Sequence, residues 1–301
     1  MNNKIIEYTI EYDGYKLKVL NIGATITEYS LDGHNISLSY SNIESYRNNE
    51  LYAGCIVGRT AGRIKGGSVG DWQLPKNYHQ HHNHHGSGLH LEFYEVELKE
   101  NSIELSLEDS EGDYPGNAVV KVVYTLDENG LTQEIIAKSD RPTLFNFTNH
   151  SYFNLDLGKS VLNHNLQIEC EQYAHLDNEM FVVENKDVLG TAFDFRTMRT
   201  VGSSFDLDDN GQFKRTKFID HPFKLDGKLV YSNSDYQLEV TTDSEYVVIY
   251  AANYLGDCQT KLAGYQAVDY GAICFETQKI PGDIKLVTDF YAKTNYKLTK
   301  V

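Results

Sequence analysis

The stretch that decides the fold is Ala118-Val119-Val120-Lys121-Val122-Val123-Tyr124. Apart from one lysine it consists of small, β-branched and aromatic residues, and the β-branched and aromatic ones favour extended strands. Because the run is short and almost continuously apolar, it predicts a strand that is buried on both faces of a sheet. The run Tyr246-Val247-Val248-Ile249-Tyr250 has a similar composition and leads to the same prediction.

Polar and apolar residues alternate in the segments on either side of these runs. In 103–108 aliphatic residues alternate with glutamate and serine, and 131–136 and 236–240 behave similarly. A period of two predicts half-buried strands. Turn sequences separate the strands, among them Asp13-Gly14, Asp32-Gly33, Glu128-Asn129-Gly130 and Asp226-Gly227. Meanders and Greek keys of a large antiparallel β-sandwich are built from segments of this spacing, so we predict an all-β protein.

One segment, 41–50, favours a short helix. Ser41 is the expected N-cap, and Glu44 stands three residues later in the capping-box position. The chain shows no internal repeat, no Gly/Ser-rich or Pro-rich linker and no block of like charge that would separate two halves. We therefore expect residues 1–301 to form a single domain.

The composition narrows the possible functions. The 301 residues carry a formal net charge of -16, from 27 Lys+Arg and 43 Asp+Glu. An acidic surface repels phosphate backbones and anionic lipids, so we expect neither a nucleic-acid nor a membrane partner. Glu7 and Glu11 interrupt the start of the sequence where a signal peptide needs an apolar region, and no run of about 18 apolar residues follows. We expect a cytoplasmic protein.

The cysteines fit a reducing compartment. Their positions are far apart and contain no C-x-x-C pair: Cys55, Cys170, Cys258 and Cys274. This spacing argues against a disulfide framework and against a cysteine zinc site. Free thiols are the expected state.

Two segments that break the alternation combine glycines with cationic or imidazole side chains. The segment 52–64 places Arg59 and Arg63 among small residues, where glycines let the backbone approach a ligand and arginine donates to its oxygens. A tight turn with two surface arginines explains it equally well. The segment 78–90 holds six of the 11 histidines. Adjacent histidines on an extended chain point to opposite sides, so we expect a solvated loop with one or two working histidines rather than a metal site.

Three further segments carry acid and base groups. His150 lies among aromatic and amide residues in 146–155, Asp220 precedes a histidine in 218–223, and Glu276 directly follows a strongly apolar strand. Partial desolvation there should raise the pKa of Glu276 toward a useful general-base value. A buried histidine satisfied by the backbone and structural ion pairs are the alternatives. Since the sequence lacks phosphate-binding and serine-hydrolase motifs, acid/base chemistry on a neutral polyol fits best.

These segments, in this order, resemble the aldose 1-epimerases, also called galactose mutarotases. The most specific match is Asn149-His150-Ser151-Tyr152-Phe153-Asn154-Leu155. Shorter matches are Gly58-Arg59-Thr60-Ala61-Gly62-Arg63-Ile64, Tyr114-Pro115-Gly116, Gly190-Thr191-Ala192-Phe193-Asp194, Asp220-His221 and Glu276-Thr277-Gln278. The resemblance implies the family's galactose mutarotase-like β-supersandwich. It also implies interconversion of the α and β anomers of a free aldose such as galactose or glucose.

The resemblance also implies roles for individual residues. Glu276 would take the proton from the C1 hydroxyl and His150 would protonate the ring oxygen, from opposite sides of the hemiacetal and with pKa values near neutrality. The substrate-holding residues would be Arg63, His85 and Asp220. No cofactor and no metal are implied, and the expected partner is a small-molecule aldose bound by a monomer or homodimer.

The sequence departs from the family pattern in three places. Gly62 stands where the family commonly has Asn, and Pro222 where a polar residue is usual. In the histidine-rich segment His84 stands at the family's Leu and Ser87 at its second Gly. His85 then matches the family's binding histidine, with His90 as a substitute. Three alternatives stay open: an epimerase for another sugar or a sugar phosphate, a non-catalytic sugar-binding protein, and a metal role for the loop 79–90.

Overall fold

The computed structural model describes residues 4–301, and β-strands dominate it. Within that range the strands, in chain order, are β1 (Glu7–Tyr12), β2 (Tyr15–Leu20), β3 (Thr25–Leu31), β4 (His34–Asn35), β5 (Ile56–Val57), β6 (Arg63–Ile64), β7 (Ser68–Val69), β8 (Trp72–Gln73), β9 (Asn83–His84), β10 (Glu95–Leu98), β11 (Ser102–Asp109), β12 (Ala118–Asp127), β13 (Gly130–Leu144), β14 (Thr148–Asn149), β15 (Tyr152–Phe153), β16 (Asn165–Ile168), β17 (Gln172–Leu176), β18 (Val182–Asp187), β19 (Arg199–Thr200), β20 (Asp220–Lys224), β21 (Leu229–Ser232), β22 (Tyr236–Thr242), β23 (Tyr246–Tyr250), β24 (Ile273–Gln278) and β25 (Leu286–Lys300). The prediction of a β-protein is confirmed.

Within residues 4–301 the helical structure consists of short pieces. The α-helix Phe213–Thr216 is a single turn. The remaining pieces are 3₁₀ turns: Ile43–Arg47, Lys65–Gly67, Leu89–Leu91, Val161–Asn163, Val201–Asp206 and Leu255–Asp257. No helix in the described part of the chain is long and apolar enough to cross a membrane.

The helix predicted at 41–50 is the 3₁₀ turn Ile43–Arg47, and its N-cap is Asn42 rather than Ser41. The Oδ1 atom of Asn42 accepts a hydrogen bond from the backbone N–H of Glu44 at 3.1 Å. Asn caps a helix as well as Ser does, so the turn can begin one residue later. Glu44 then lies too early for a capping box, and its carboxylate instead binds Arg47 at 2.6 Å.

Three antiparallel sheets form the body of the molecule. The largest has nine strands in the order β10-β11-β12-β13-β25-β22-β21-β16-β19. A six-stranded sheet has the order β15-β24-β23-β20-β17-β18, and a four-stranded sheet has the order β1-β2-β3-β4. Two-stranded pairs β14-β5, β6-β9 and β7-β8 complete the list for residues 4–301.

The sheets pack face to face around one large apolar cluster that extends from Ile10 to Leu298. The rings of Phe153 and Tyr296 lie 5.5 Å apart and join the six-stranded sheet to the nine-stranded one. On the four-stranded sheet, the Tyr29 hydroxyl donates to the Tyr296 carbonyl oxygen at 2.7 Å. Sheet-on-sheet packing of this kind is a β-sandwich.

The two runs that predicted doubly buried strands behave differently. In β12, Val120 and Val122 are fully buried whereas Val119 is 52% exposed, so that prediction is wrong for this strand. The second face of β12 meets solvent, which is common in antiparallel sheets. In β23, residues 246–249 are all buried, and there the prediction is confirmed.

All four cysteines are free, as expected. Cys55, Cys170 and Cys274 are buried, and Cys258 is half-buried.

Candidate active site

The outer face of the six-stranded sheet forms the floor of a cavity of about 690 Å³. Side chains alternate along β24, so Phe275 and Thr277 face the nine-stranded sheet. Cys274, Glu276 and Gln278 point the opposite way, and Glu276 and Gln278 line the cavity. A volume of this size suits a small molecule.

The neighbouring strands complete the floor by the same alternation. Asp220 and Pro222 of β20 line the cavity, and Pro222 pairs with Val248 of β23, which pairs with Glu276. His221 faces the core instead, where its Nε2 atom lies 3.2 Å from Oε1 of Gln212. Asp220 and His221 are adjacent in sequence, but only Asp220 reaches the cavity.

His150 forms part of the wall next to Glu276. Its backbone N–H donates to the Cys55 carbonyl at 2.9 Å, and its own carbonyl accepts from Gly54 N–H at 3.0 Å. These bonds hold His150, which directly follows β14, against the residues that directly precede β5. The Nε2 atom of His150 lies 3.4 Å from Oε1 of Glu276, and Nδ1 lies 3.7 Å from the Cys274 sulfur.

The acid and base expected on opposite sides of a substrate are therefore neighbours. The two oxygens concerned, O1 and the ring oxygen of an aldose, are bonded to the same carbon. Adjacent groups can reach both of them.

Arg63 and His85 reach the cavity from the small sheet β6-β9. Nη2 of Arg63 lies 3.8 Å from Oδ2 of Asp220, and the guanidinium lies 5.0 Å from the centre of the Tyr78 ring. The Nδ1 atom of His85 accepts a hydrogen bond from Gly62 N–H at 3.3 Å. Because Nδ1 is an acceptor, the proton of neutral His85 resides on Nε2, which can donate to a ligand.

Burial shifts the pKa values of the cavity groups in opposite directions. Desolvation, reinforced by the Asp220 carboxylate and opposed by Arg63, raises the pKa of Glu276 to about 8. Desolvation lowers the pKa of His150 to about 4. The rise at Glu276 was expected, whereas a His150 pKa near neutrality was wrong because the ring is removed from water. Desolvation also raises the pKa of Asp220, opposed by Arg63.

Comparison with known proteins gives a consistent result. A family model described as aldose 1-epimerase matches residues 7–289. An aldose 1-epimerase of Haemophilus influenzae is 32% identical over 258 residues, which cover 79% of this chain and 75% of that protein. The galactose mutarotase of Bos taurus is 28% identical over 299 residues, covering 91% of this chain and 85% of that protein.

Among solved structures, a galactose 1-epimerase from Lactobacillus acidophilus NCFM is similar, with a TM-score of 0.88 and 32% identity. The match covers 100% of this chain and 96% of that one. The chain belongs to the aldose 1-epimerase family. Members of this family are isomerases that act on carbohydrates, and the β-sandwich is of the galactose mutarotase type.

The histidine-rich segment of this family member is less solvated than expected. His79 and His81 are exposed at the mouth of the cavity, but His82, His85 and His90 are buried. His82 packs edge-on against Phe181 with ring centres 4.8 Å apart. His90 packs against Tyr52 and does not line the cavity, whereas His85 does.

His84 also lines the cavity, contrary to the expectation that it would point away from His85. The alternation of an extended chain fails here because His85 has a left-handed backbone with φ of 58°. The two rings lie on the same side, with centres 3.7 Å apart.

The two arginines of the family segment 58–64 are separated in space, and neither is a surface residue. Arg59 is 1% exposed, and its guanidinium donates to the Asp109 carboxylate at 2.6 Å and to the Pro115 carbonyl at 3.0 Å. This contact gives the motif Tyr114-Pro115-Gly116 a structural role. The alternative of a turn with two surface arginines is wrong, because Arg63 lies in the cavity wall with its side chain only 18% exposed.

The departure at Gly62 is matched by a second residue. Gly62 has φ of 76°, and a Cβ atom there would lie 2.7 Å from Cβ of Pro281. Pro281 lines the cavity, so it occupies space next to the position where the family commonly has Asn.

Part of the cavity wall consists of residues that no sequence motif identifies as cavity residues. Leu176, Asn178 and Phe181, in and around the turn between β17 and β18, and Arg215 after them, line the cavity. No motif marks them, since the topology alone brings this turn to the cavity.

Among the residues that the structure describes, one group of side chains could hold a metal ion. Ligand atoms of His85, His150 and Glu276 all lie within 4.8 Å of one another. This set of two imidazoles and one carboxylate is chemically suitable for a divalent ion. The expectation that no metal takes part stays a prediction, to be tested by chelation.

Proposed function

We propose that this protein interconverts the α and β anomers of free hexoses such as galactose and glucose by acid/base catalysis. The observation that carries the proposal is the pairing of Glu276 and His150 at 3.4 Å in the floor and wall of one cavity. Relatives named aldose 1-epimerase and galactose mutarotase support the same reaction.

The pair holds one exchangeable proton near neutral pH. The raised pKa of Glu276 and the lowered pKa of His150 describe a protonated carboxyl beside a neutral imidazole. Moving that proton across the contact gives a carboxylate and an imidazolium without exchange with solvent. The two protonation forms belong to one coupled pair, so a proton transfer within the pair converts the resting form into the reactive form.

In the reaction, the Glu276 carboxylate takes the proton from the C1 hydroxyl while Nε2 of His150 donates a proton to the ring oxygen. The C1–O5 bond breaks and the open-chain aldehyde forms. Rotation about the C1–C2 bond presents the other face of the carbonyl. His150 then removes the proton from the C5 hydroxyl, whose oxygen attacks C1, and Glu276 returns its proton to O1.

The binding roles follow from charge and proximity. Arg63 would donate to ring or hydroxyl oxygens, and Asp220, at 3.8 Å from Arg63, would accept from a hydroxyl. Nε2–H of His85 would hold the reacting end of the sugar. The position of His85 in the cavity, with His90 outside it, supports the choice of His85.

The remaining parts of the proposal concern the setting. The largest apolar cluster, which extends from Ile10 to Leu298, supports one domain. The free thiols support a cytoplasmic protein, and the net charge of -16 supports a neutral aldose as the substrate. A monomer or homodimer remains part of the proposal.

Polarimetry of freshly dissolved α-glucose and α-galactose tests the activity. We expect the purified protein to accelerate the anomeric relaxation equally well before and after treatment with a chelator. No acceleration would overturn the proposal. Activity that is lost on chelation and restored by a divalent ion would overturn the prediction that no metal takes part.

A further inference from the structure

Gln278 occupies the last of three positions from which β24 faces the cavity side. The residue is 2% exposed and lines the cavity together with Glu276, two residues earlier. Thr277, between them, points to the nine-stranded sheet and shares a hydroxyl contact of 2.6 Å with Thr294. The strand therefore presents Gln278 to the same space as the proposed base.

The amide of Gln278 has an unpaired end. Its Oε1 atom is buried and has no hydrogen-bond partner among residues 4–301. An unpaired buried acceptor destabilises a protein, and apolar side chains fit this floor, as Pro222 and Val248 do. A ligand that donates a hydrogen bond would remove the penalty.

Arg63 provides the complementary unpaired group. Its Nε atom is buried and lacks a partner within the described residues. Two residues of the cavity lining thus carry an unpaired buried atom, a donor on Arg63 and an acceptor on Gln278. A hydroxyl group both donates and accepts, so neighbouring hydroxyls of a sugar ring can satisfy both atoms, whereas a phosphate or carboxylate only accepts.

The strand geometry selects which hydroxyl is bound. Residues two apart on a strand are separated by about 6.6 Å. Since Glu276 takes the C1 hydroxyl in the proposed function, on which this inference rests, Gln278 lies nearer the far side of the ring. We propose that Gln278 determines specificity by accepting a hydrogen bond from a ring hydroxyl remote from C1, on C3 or C4 of an aldopyranose.

The substitution Gln278→Met tests this, because it keeps the length of the side chain and removes the amide. We expect kcat/KM for glucose to fall by about 5- to 150-fold. With 3-deoxyglucose or 4-deoxyglucose, whichever lacks the bound hydroxyl, wild type and variant should have the same kcat/KM. With 2-deoxyglucose and 6-deoxyglucose, the substitution should lower kcat/KM by the same factor as it does with glucose.

The melting temperature of the ligand-free protein separates binding from folding. Gln278→Met removes the buried, unpaired Oε1 atom, so the melting temperature of the variant should equal or exceed that of the wild type. Thr277→Val is the matched control, since it breaks the contact with Thr294 on the opposite face. It should lower the melting temperature and leave unchanged the ratios of kcat/KM among the five sugars, which are glucose and its four deoxy derivatives.

A lower melting temperature for Gln278→Met, or an equal loss with all five sugars, would show a structural role and overturn the inference. If wild type and variant have equal kcat/KM only with 2-deoxyglucose or only with 6-deoxyglucose, the bound hydroxyl is on C2 or C6, and its placement on C3 or C4 is overturned. If the wild type does not catalyse mutarotation at all, the proposed function fails. Calorimetric binding of glucose and the four deoxy sugars to wild type and variant then still decides the role of Gln278.

Discussion

At the scale of single residues, Glu276 and His150 determine the pH dependence. A single proton is shared by the pair between the His150 pKa of about 4 and the Glu276 pKa of about 8. Below this window both groups are protonated and no base is present. Above it Glu276 is ionised, His150 is neutral, and no acid is present.

We therefore expect kcat/KM to fall above pH 8, as measured by polarimetry with the buffer-catalysed rate subtracted. Because the Asp220 carboxylate contributes to the raised pKa of Glu276, Asp220→Asn should move this basic limb to lower pH, in addition to any effect on binding. A basic limb that stays at the same pH in this variant would contradict the electrostatic explanation.

The two members of the pair should also differ from the binding residues in their kinetic effect. Glu276→Gln and His150→Ala each remove a proton-transfer group, which typically contributes about 10²–10⁴-fold to the rate, so kcat should fall. Arg63→Ala should act mainly through KM. His81→Ala, an exposed residue at the cavity mouth, serves as the control with nearly unchanged kinetics. Turnover close to wild type in Glu276→Gln would remove it from the role of base.

At the scale of elements, the crossing of two loops places His85. Gly58 and Gly86 form an isolated parallel bridge, and Gly86 has φ of 76°. A Cβ atom on Gly86 would lie 2.0 Å from the Gly58 carbonyl oxygen. The close approach of the two backbones thus needs glycine at position 86.

Gly86→Ala should therefore lower both the stability and kcat/KM, because the loop that carries His85 must move. Gly88→Ala is the matched control, since Gly88 has φ of 101° but no atom within 4 Å of its Cβ position. The control carries only the backbone strain of about 1–2 kcal/mol, and Gly86→Ala should lose about 1–3 kcal/mol more from the clash. Equal losses in urea unfolding would mean that the bridge does not constrain the loop.

The sequence predicts the floor of the cavity better than its walls, for a physical reason. The period of two along β24 and β20 is a local property, so the positions of Glu276 and Asp220 follow from the strand itself. The side on which His84 lies depends on the left-handed backbone of His85, which tertiary contacts impose. The role of Arg59 depends on Asp109, which is 50 residues away in the sequence.

At the scale of the whole molecule, burial of neutral histidines couples stability to pH. Desolvation lowers the pKa values of four buried histidines below the usual 6.5: to about 4 for His90 and His150, to about 3 for His221, and well below it for His85. Between pH 6.5 and 4 the unfolded chain binds protons at these positions and the folded protein does not. The free energy of unfolding must therefore decrease as the pH falls through this range.

The contribution of each histidine is up to about 1.4 kcal/mol per pH unit. Glu276 acts in the opposite direction, because its folded pKa of about 8 exceeds the usual 4.5 and its stabilising effect is lost as the pH rises. Asp220, whose pKa is also raised by desolvation, acts in the same direction as Glu276. Four histidines outweigh these two carboxyls, so urea unfolding at pH 7, 6 and 5 should show a steady loss of stability on acidification. His90→Phe keeps a ring against Tyr52. It should reduce the slope of the free energy of unfolding against pH by the contribution of about one proton, whereas His81→Ala should leave that slope unchanged. A free energy of unfolding that is constant from pH 7 to 5 would mean that these histidines accept protons in the folded state. In that case His150 would not be the desolvated group on which the shared-proton mechanism depends.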